Sequence, residues 1–240
     1  MEFKVMTYNI RHGLGMDKRV NLSRIARVIH ESGADIVGLN EVDVFFSKRS
    51  EYVNQVEWLA NRLLMNHAFA PAVGTKDFNK MGGYGNAVLS RYPIVDFRNH
   101  PLRNHGKMEP RVLLEVKTRI EKEILHVFST HLTLLKYLRA KQVEEILKKV
   151  HQIRLPLIFM GDFNARPKTE EISLLRHSFR DCWETVHSGP GYTYPSGNPR
   201  KRIDYIFVNN MLKIISCKVE TGYNEASDHL PVIATLRLKT

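Results

Sequence analysis

The sequence predicts an α/β protein with a large, partly antiparallel sheet content. Strand-like and helix-like runs alternate along all 240 residues, with no linker, repeat or low-complexity segment between them. From Asn86 to Thr130 three strand-like runs follow one another, which favours hairpins over helical crossovers. Nothing divides the composition, and 240 residues suffice for one sizeable core, so residues 1–240 read as a single domain.

In order, Phe3–Ile10 reads as a strand and Leu22–Glu31 as an amphipathic helix with Ser23, Arg24 and Arg27 outward. Asp35–Asn40 is a second strand after the helix stop at Gly33. Val56, Leu59, Ala60 and Leu63 recur at helical spacing behind a cap at Asn54. The strand-rich stretch contains Ala87–Ser90, Val112–Lys117 and Ile124–Ser129. A helix from about Leu138 to His151 follows, then a short buried strand, Leu155–Met160, and final strands at Ile203–Val208, Leu212–Val219 and Val232–Leu238.

The most informative string is Gly161-Asp162-Phe163-Asn164-Ala165-Arg166-Pro167, which ends that buried strand. Side chains alternate along a strand, so Asp162 and Asn164 share a face. Alone, a D-x-N turn satisfies its own backbone. Four further segments give it company: Thr7-Tyr8-Asn9-Ile10, Leu39-Asn40-Glu41-Val42, Ser129-Thr130-His131-Leu132, and the paired runs Arg202-Ile203-Asp204-Tyr205 and Ser227-Asp228-His229-Leu230-Pro231. Each joins an apolar run to a group that binds a hard cation or moves a proton.

In this order and near this spacing, GDFN and SDHLP resemble the endonuclease/exonuclease/phosphatase superfamily of divalent-metal phosphoesterases, and the resemblance runs from about Met1 to the C-terminus. It implies a four-layer α/β sandwich: two face-to-face mixed, largely antiparallel β-sheets flanked by helices, with the site at one rim. It also implies roles. Glu41 is the principal metal ligand with Asn9 beside it, and Asp228 is a further metal-side carboxylate. Asp204 and His229 form the dyad that activates water or holds the phosphate. Asp162 binds or orients the attacking water, Asn164 donates to phosphoryl oxygens, and water attacks in line with no covalent intermediate. His131, in a THL segment, resembles the DNase and sphingomyelinase-like branch rather than the abasic-site endonucleases, as phosphate ligand or leaving-group acid. Asn86 is the counterpart of the carboxylate that supports that histidine in DNases, and Arg111 matches a strand arginine near the substrate.

Hydrolysis of an anionic phosphate ester requires charge neutralisation, a hydroxide equivalent and help for the leaving oxygen. A hard cation prefers the oxygen ligands of Glu41, Asn9 and Asp228, so magnesium or manganese is the expected cofactor. No close cysteine pair or H-x-x-x-H spacing suggests zinc.

A formal charge of +11 points to anionic partners: nucleic acid, phosphorylated metabolites or an acidic membrane surface. Basic residues gather at Lys48-Arg49, at Arg98, Arg103, Lys107 and Arg111, along Lys136–Lys149, and at Arg200-Lys201-Arg202. The third group reads as a solvated helix face, because Glu144 and Glu145 interrupt it at pairing distance; the last could flank an anionic substrate. Cys182 and Cys217 give no disulfide framework, no signal peptide is visible at the N-terminus, and no apolar run approaches a membrane span, so a cytoplasmic location is expected.

Charge makes nucleic acid the first substrate expectation. Gly85-Asn86-Ala87-Val88-Leu89 and the segment from Gly191 to Tyr205 resemble small phosphodiesterases related to sphingomyelinases, which makes a phospholipid headgroup or soluble metabolite the rival. An exposed apolar loop would favour lipid; a continuous basic groove about a duplex wide would favour nucleic acid. Tyr192 and Tyr194 are the best candidates for base stacking. A non-catalytic phosphate-binding protein is the third alternative.

Overall fold

Along the first strand, β1 (Glu2–Asn9), Phe3 and Val5 enter one apolar cluster while Met6 and Tyr8 enter another. A strand with both faces buried reads as a near-continuous apolar run, and that is how layers stack on it. A computed structural model describes residues 1–74 and 82–239. After β1 come α1 (Leu22–Ser32), β2 (Ile36–Val44), α2 (Gln55–Leu63), β3 (Asn66–Gly74), β4 (Gly83–Ser90) and β5 (Ile94–Pro101). Then follow β6 (Val112–Ile120), β7 (Glu123–His131), α3 (Lys136–Val150), β8 (Leu157–Asp162), α4 (Glu170–Arg176) and β9 (Arg180–Asp181). The chain closes with α5 (Cys182–Val186), β10 (Asp204–Val208), β11 (Leu212–Val219) and β12 (Val232–Leu238).

Two six-stranded sheets result, ordered β11-β12-β1-β2-β4-β3 and β5-β6-β7-β8-β10-β9. Val5, Ile36 and Val88 of the first meet Val116, Val127, Ile158 and Ile206 of the second in the central core. Ile25, Ile29 and Leu59 of α1 and α2 cover the outer face of the first sheet. Val143, Ile146 and Ile172 of α3 and α4 cover that of the second over Phe128 and Phe159. The four-layer sandwich is therefore as expected, mixed and largely antiparallel.

The parallel pairs decide where the site lies. They are β1–β2, joined through α1, and β7–β8, joined through α3. Each sits mid-sheet, and their C-terminal ends open on one rim, the usual ligand end of parallel strands. Gly161 permits a close approach there: its φ is +144°, and a Cβ would fall 1.9 Å from the Thr130 carbonyl oxygen.

Several boundaries differ from the sequence reading. The strand placed at Asp35–Asn40 runs on to Val44, so Glu41 lies inside it rather than after it. Leu155 and Pro156 precede β8, and the helix placed at Leu138–His151 spans Lys136–Val150. The edge strands β3 and β5 carry few buried apolar residues, and α4, α5 and β9 are too short to show a period, so these five escaped the periodicity. Asn54 caps α2 as expected, accepting from Glu57 N. On α3, Lys141 pairs with Glu144 at 3.2 Å on the solvated face. Arg139 does not belong to that face. It is buried against Glu171 at 2.9 Å, and its Nη1 donates to the carbonyls of Thr133 and Leu134 at 3.2 and 3.0 Å.

Removing Arg139 strands a buried carboxylate. Arg139→Met is expected to destabilise the fold by about 3–5 kcal/mol, a fall in Tm of about 10 °C for a domain of this size. Calorimetric unfolding checks this, and an unchanged Tm contradicts it.

Candidate active site

Strand register assembles the site. Asn9 and Asn40 are opposite one another at the ends of the first parallel pair, and His131 and Asp162 at the ends of the second. β10 enters antiparallel with Asp204 facing Asp162. β12 starts with Val232 opposite Thr7, which lays the preceding Ser227–Pro231 turn over Asn9, and Ser227 Oγ donates to Asn9 O at 2.8 Å. Topology thus brings together residues up to 220 positions apart (Asn9 and His229).

A β-bulge aims Glu41. The β2–β4 register shifts between Leu39 and Val42, and Glu41 takes φ +59°. Its carboxylate turns into a cleft of about 600 Å³ that also exposes Arg49, Arg111, His131, Asp162, Asn164, Arg166, Tyr194, Lys201, Asp228 and His229. Asn9 Nδ2 donates to Glu41 Oε1 and to Asp162 Oδ2, each at 3.1 Å, while its Oδ1 accepts from Arg11 N. Asp228 faces Arg11 Nε at 3.6 Å.

The dyad is formed. His229 Nδ1 donates to Asp204 Oδ2 at 2.9 Å, and its Nε2 stands 3.7 Å from Asp162 Oδ2. Burial works against the imidazolium, but Asp204 and Asp162 outweigh it and push His229 up to about 10. Burial, with Asp204 adding to it, raises Asp162 to about 7, against the pull of His229. His131 behaves oppositely: burial, then the Arg111 and His229 charges, hold it well below the ordinary histidine value, so it is neutral. Arg111 Nη1 lies 3.3 Å from His131 Nδ1, and Asn164 Nδ2 lies 3.1 Å from His131 Nε2.

The signs give a prediction. A carboxyl whose folded pKa is raised loses stability as pH climbs from 3.8 through about 7; an imidazolium raised from 6.5 to about 10 contributes stability that is lost across that interval. Both act in one direction. In EDTA, the Tm is expected to fall as pH rises from neutrality to about 10, and a rising Tm in a pH-resolved melt contradicts it.

Two placements differ from the sequence reading. Asn86 does not support His131: its Nδ2 donates to Val112 O and its Oδ1 accepts from Asn40, beneath the cleft. The resemblance placed it just before the strand at Ala87–Ser90, but it lies inside β4, where a buried amide is consumed by the space between the sheets. Arg202 turns away from the cleft onto Asp181 at 2.9 Å; only Lys201 of its trio lines the cleft.

Other residues went unread. Asn40 bridges the two sheets, donating to Asn86 Oδ1 and Thr130 O and accepting from Asp162 N. Its position beside Glu41 in an apolar strand is a signal: a buried amide needs partners. Thr193 Oγ1 donates to Asp204 Oδ2, and the Tyr194 ring packs on His229 at 4.8 Å. Arg49 is clamped by Asp43 through two hydrogen bonds of 2.9 and 2.7 Å and lies 5.0 Å from the Phe46 and Tyr84 ring centroids, a preset cation on the cleft wall.

Asp162, Asp204 and His229 offer ligand atoms within 4.8 Å of one another. Asp204 and His229 are spent on each other, however, and hard divalent ions favour all-oxygen sets. Of the oxygen ligands expected for such an ion, Glu41 shares the Asn9 amide with Asp162, and Asp228, which faces Arg11, lines the same cleft. Coordination through Asn9 oxygen requires that amide to turn and release Arg11 N.

The model of the Endonuclease/Exonuclease/phosphatase family matches residues 6–229. The chain belongs to the endonuclease/exonuclease/phosphatase family. It is 27% identical over 252 residues to "Uncharacterized protein YbhP" of Escherichia coli, covering 98% of this chain and 96% of YbhP. The crystal structure of an endonuclease/exonuclease/phosphatase from Beutenbergia cavernae matches with a TM-score of 0.86 at 26% identity, over 99% of this chain and 72% of that one. A mannosyl-6-phosphatase of Bacteroides thetaiotaomicron matches with a TM-score of 0.81 at 19% identity, over 98% of this chain and all of that one, a likeness of fold. Within this endonuclease/exonuclease/phosphatase fold, no helix of the described residues is long and apolar enough to cross a membrane, and both cysteines are free and buried.

Proposed function

We propose that the protein is a magnesium- or manganese-dependent phosphodiesterase that hydrolyses its substrate by in-line attack of water, with no covalent intermediate. The observation that carries this reading is the convergence of Glu41, Asp162 and the Asp204–His229 dyad on one cation-lined cleft. Glu41, with Asn9 and Asp228, would hold the ion, which when bound neutralises phosphoryl charge. Asp162, raised to about 7, suits a base that takes the proton of the attacking water near neutral pH. His229, fixed by Asp204, presents a charged Nε2 to a phosphoryl oxygen. Asn164, whose Nδ2 donates to Leu132 O and lies on His131 Nε2, would turn its amide to a phosphoryl oxygen only on giving up one of those contacts. Neutral His131 suits a phosphate ligand better than a leaving-group acid.

Arg49, Arg111, Arg166 and Lys201 along the cleft support a polyanion, the nucleic-acid reading. Leu134 in the same cleft wall, next to exposed Leu135 and Tyr137, supports the phospholipid headgroup, and we adopt that second reading. The experiment is incubation with plasmid DNA and with phospholipid vesicles, each with manganese and with EDTA. Manganese-dependent release of a water-soluble phosphate ester from lipid is the expected result. Nicking of the plasmid alone returns the substrate to nucleic acid, and a location in the cytoplasm then fits without a membrane.

A further inference from the structure

We propose that Leu134, Leu135 and Tyr137 form a docking patch that seats this protein on an anionic phospholipid bilayer, with the cleft turned to the headgroups. The docking rests on the surface itself; only what happens in the cleft afterwards rests on the phosphodiesterase reading.

The patch is costly in water. Leu134, Leu135 and Tyr137 are 73%, 43% and 69% exposed, three large apolar side chains within four residues. A connection between a strand and a helix ordinarily carries polar residues there. This one is also held in place. The buried Arg139 binds the Thr133 and Leu134 carbonyls, and buried Gln142 accepts from Thr133 N at 3.1 Å. Every one of those bonds lies on the protein side of the segment, so the backbone is anchored while its apolar side chains face outward. The same Gln142 donates to Arg103 O at 2.9 Å and so ties the neighbouring loop to this rim.

Charge selects the partner. Lys136 sits exposed inside the patch, Arg103 and Lys107 are exposed on the tied loop, and Met108 there is a further exposed apolar group. Glu109 is the acidic group of that loop, and it is paired with Arg111. Leucine and tyrosine entering the interface, with lysine and arginine stems reaching anionic headgroups, is the pattern of a peripheral membrane surface. Contacts to nucleic acid are made chiefly to phosphates by cations and hydrogen-bond donors, which this run of leucines does not supply. Leu134 also borders the cleft that holds His131 and Asn164, so a headgroup at the patch is adjacent to the reacting groups.

The test is cosedimentation with vesicles of mixed phosphatidylglycerol and phosphatidylcholine, and of phosphatidylcholine alone, for the wild type and Leu135→Ser/Tyr137→Ser. Both altered side chains are exposed, and circular dichroism checks the fold; Tyr137→Ser alone serves if the double variant unfolds. The wild type is expected to bind the anionic vesicles, more weakly the neutral ones, with the variant at least about tenfold weaker. Equal binding by the variant, or no binding by the wild type, overturns the proposal. So does a wild-type dimer that the substitutions dissociate, which assigns the patch to a second copy, or loss of oligonucleotide binding alone, which assigns it to nucleic acid. Hydrolysis of a soluble diester in the same preparations separates the two readings. Vesicle binding without turnover overturns the phosphodiesterase and leaves the docking standing; turnover without vesicle binding does the reverse.

Discussion

His229→Ala is expected to lower kcat on bis-p-nitrophenyl phosphate by about 10²–10⁴-fold while leaving the fold intact. The imidazole is buried, its Nδ1 is fixed by Asp204 at 2.9 Å, and the two carboxylates beside it keep it charged. A preset charge on a buried imidazole stabilises developing phosphoryl charge far more than the same charge in bulk water. Its loss falls on the transition state, so kcat and kcat/KM should drop together with little change in KM. The variant strands the buried Asp204 carboxylate with Thr193 as its remaining donor, so its Tm is expected to fall while the protein stays folded at assay temperature. Steady-state kinetics with a circular-dichroism control checks it, and a folded variant with wild-type kcat removes His229 from the chemistry.

Glu41→Gln carries the second large effect. The bulge that gives Glu41 its left-handed backbone spends conformational energy to aim one carboxylate into the cleft. Exchanging it for an amide keeps the size and the contact with Asn9 but removes the charge that attracts a divalent ion. Turnover at fixed manganese is expected to fall by about a thousandfold, the scale of several kcal/mol of lost Lewis-acid stabilisation. Binding gives a readout independent of activity. The wild type should be stabilised by about 2.7 kcal/mol at about 100 times the ion's Kd, and Glu41→Gln should lose most of that shift in a thermal melt. An equal manganese-induced shift in both proteins assigns the ion to other ligands.

The parts of this site that were legible in the sequence are those written as short strings at strand ends. Asp162 and Asn164 in GDFN, and His229 in SDHLP, announce themselves because a titratable or amide group beside an apolar run is locally unusual. What stayed hidden depends on partners remote in sequence. Asn40 was in view beside Glu41, but its bonds reach Asn86, Thr130 and Asp162 in other strands. Arg139 read as one more cation of a solvated helix, since its partner Glu171 lies 32 residues on, in a different helix. Arg202 misled for the same reason, and Asn86 because a position beside a strand-like run does not reveal which face a side chain takes once two sheets close over it. Individual strands were legible where both faces are buried, as in β1 and β8, whereas the four layers were implied by the family resemblance. The edge strands β3 and β5, open to solvent on one side, left no such run.

The central claim is tested most directly by one assay: p-nitrophenolate release from bis-p-nitrophenyl phosphate by the purified wild type in manganese, after EDTA, and after manganese is restored. The account predicts release that stops with the chelator and resumes with the metal. Release indifferent to EDTA, or none in any condition from folded protein, contradicts it.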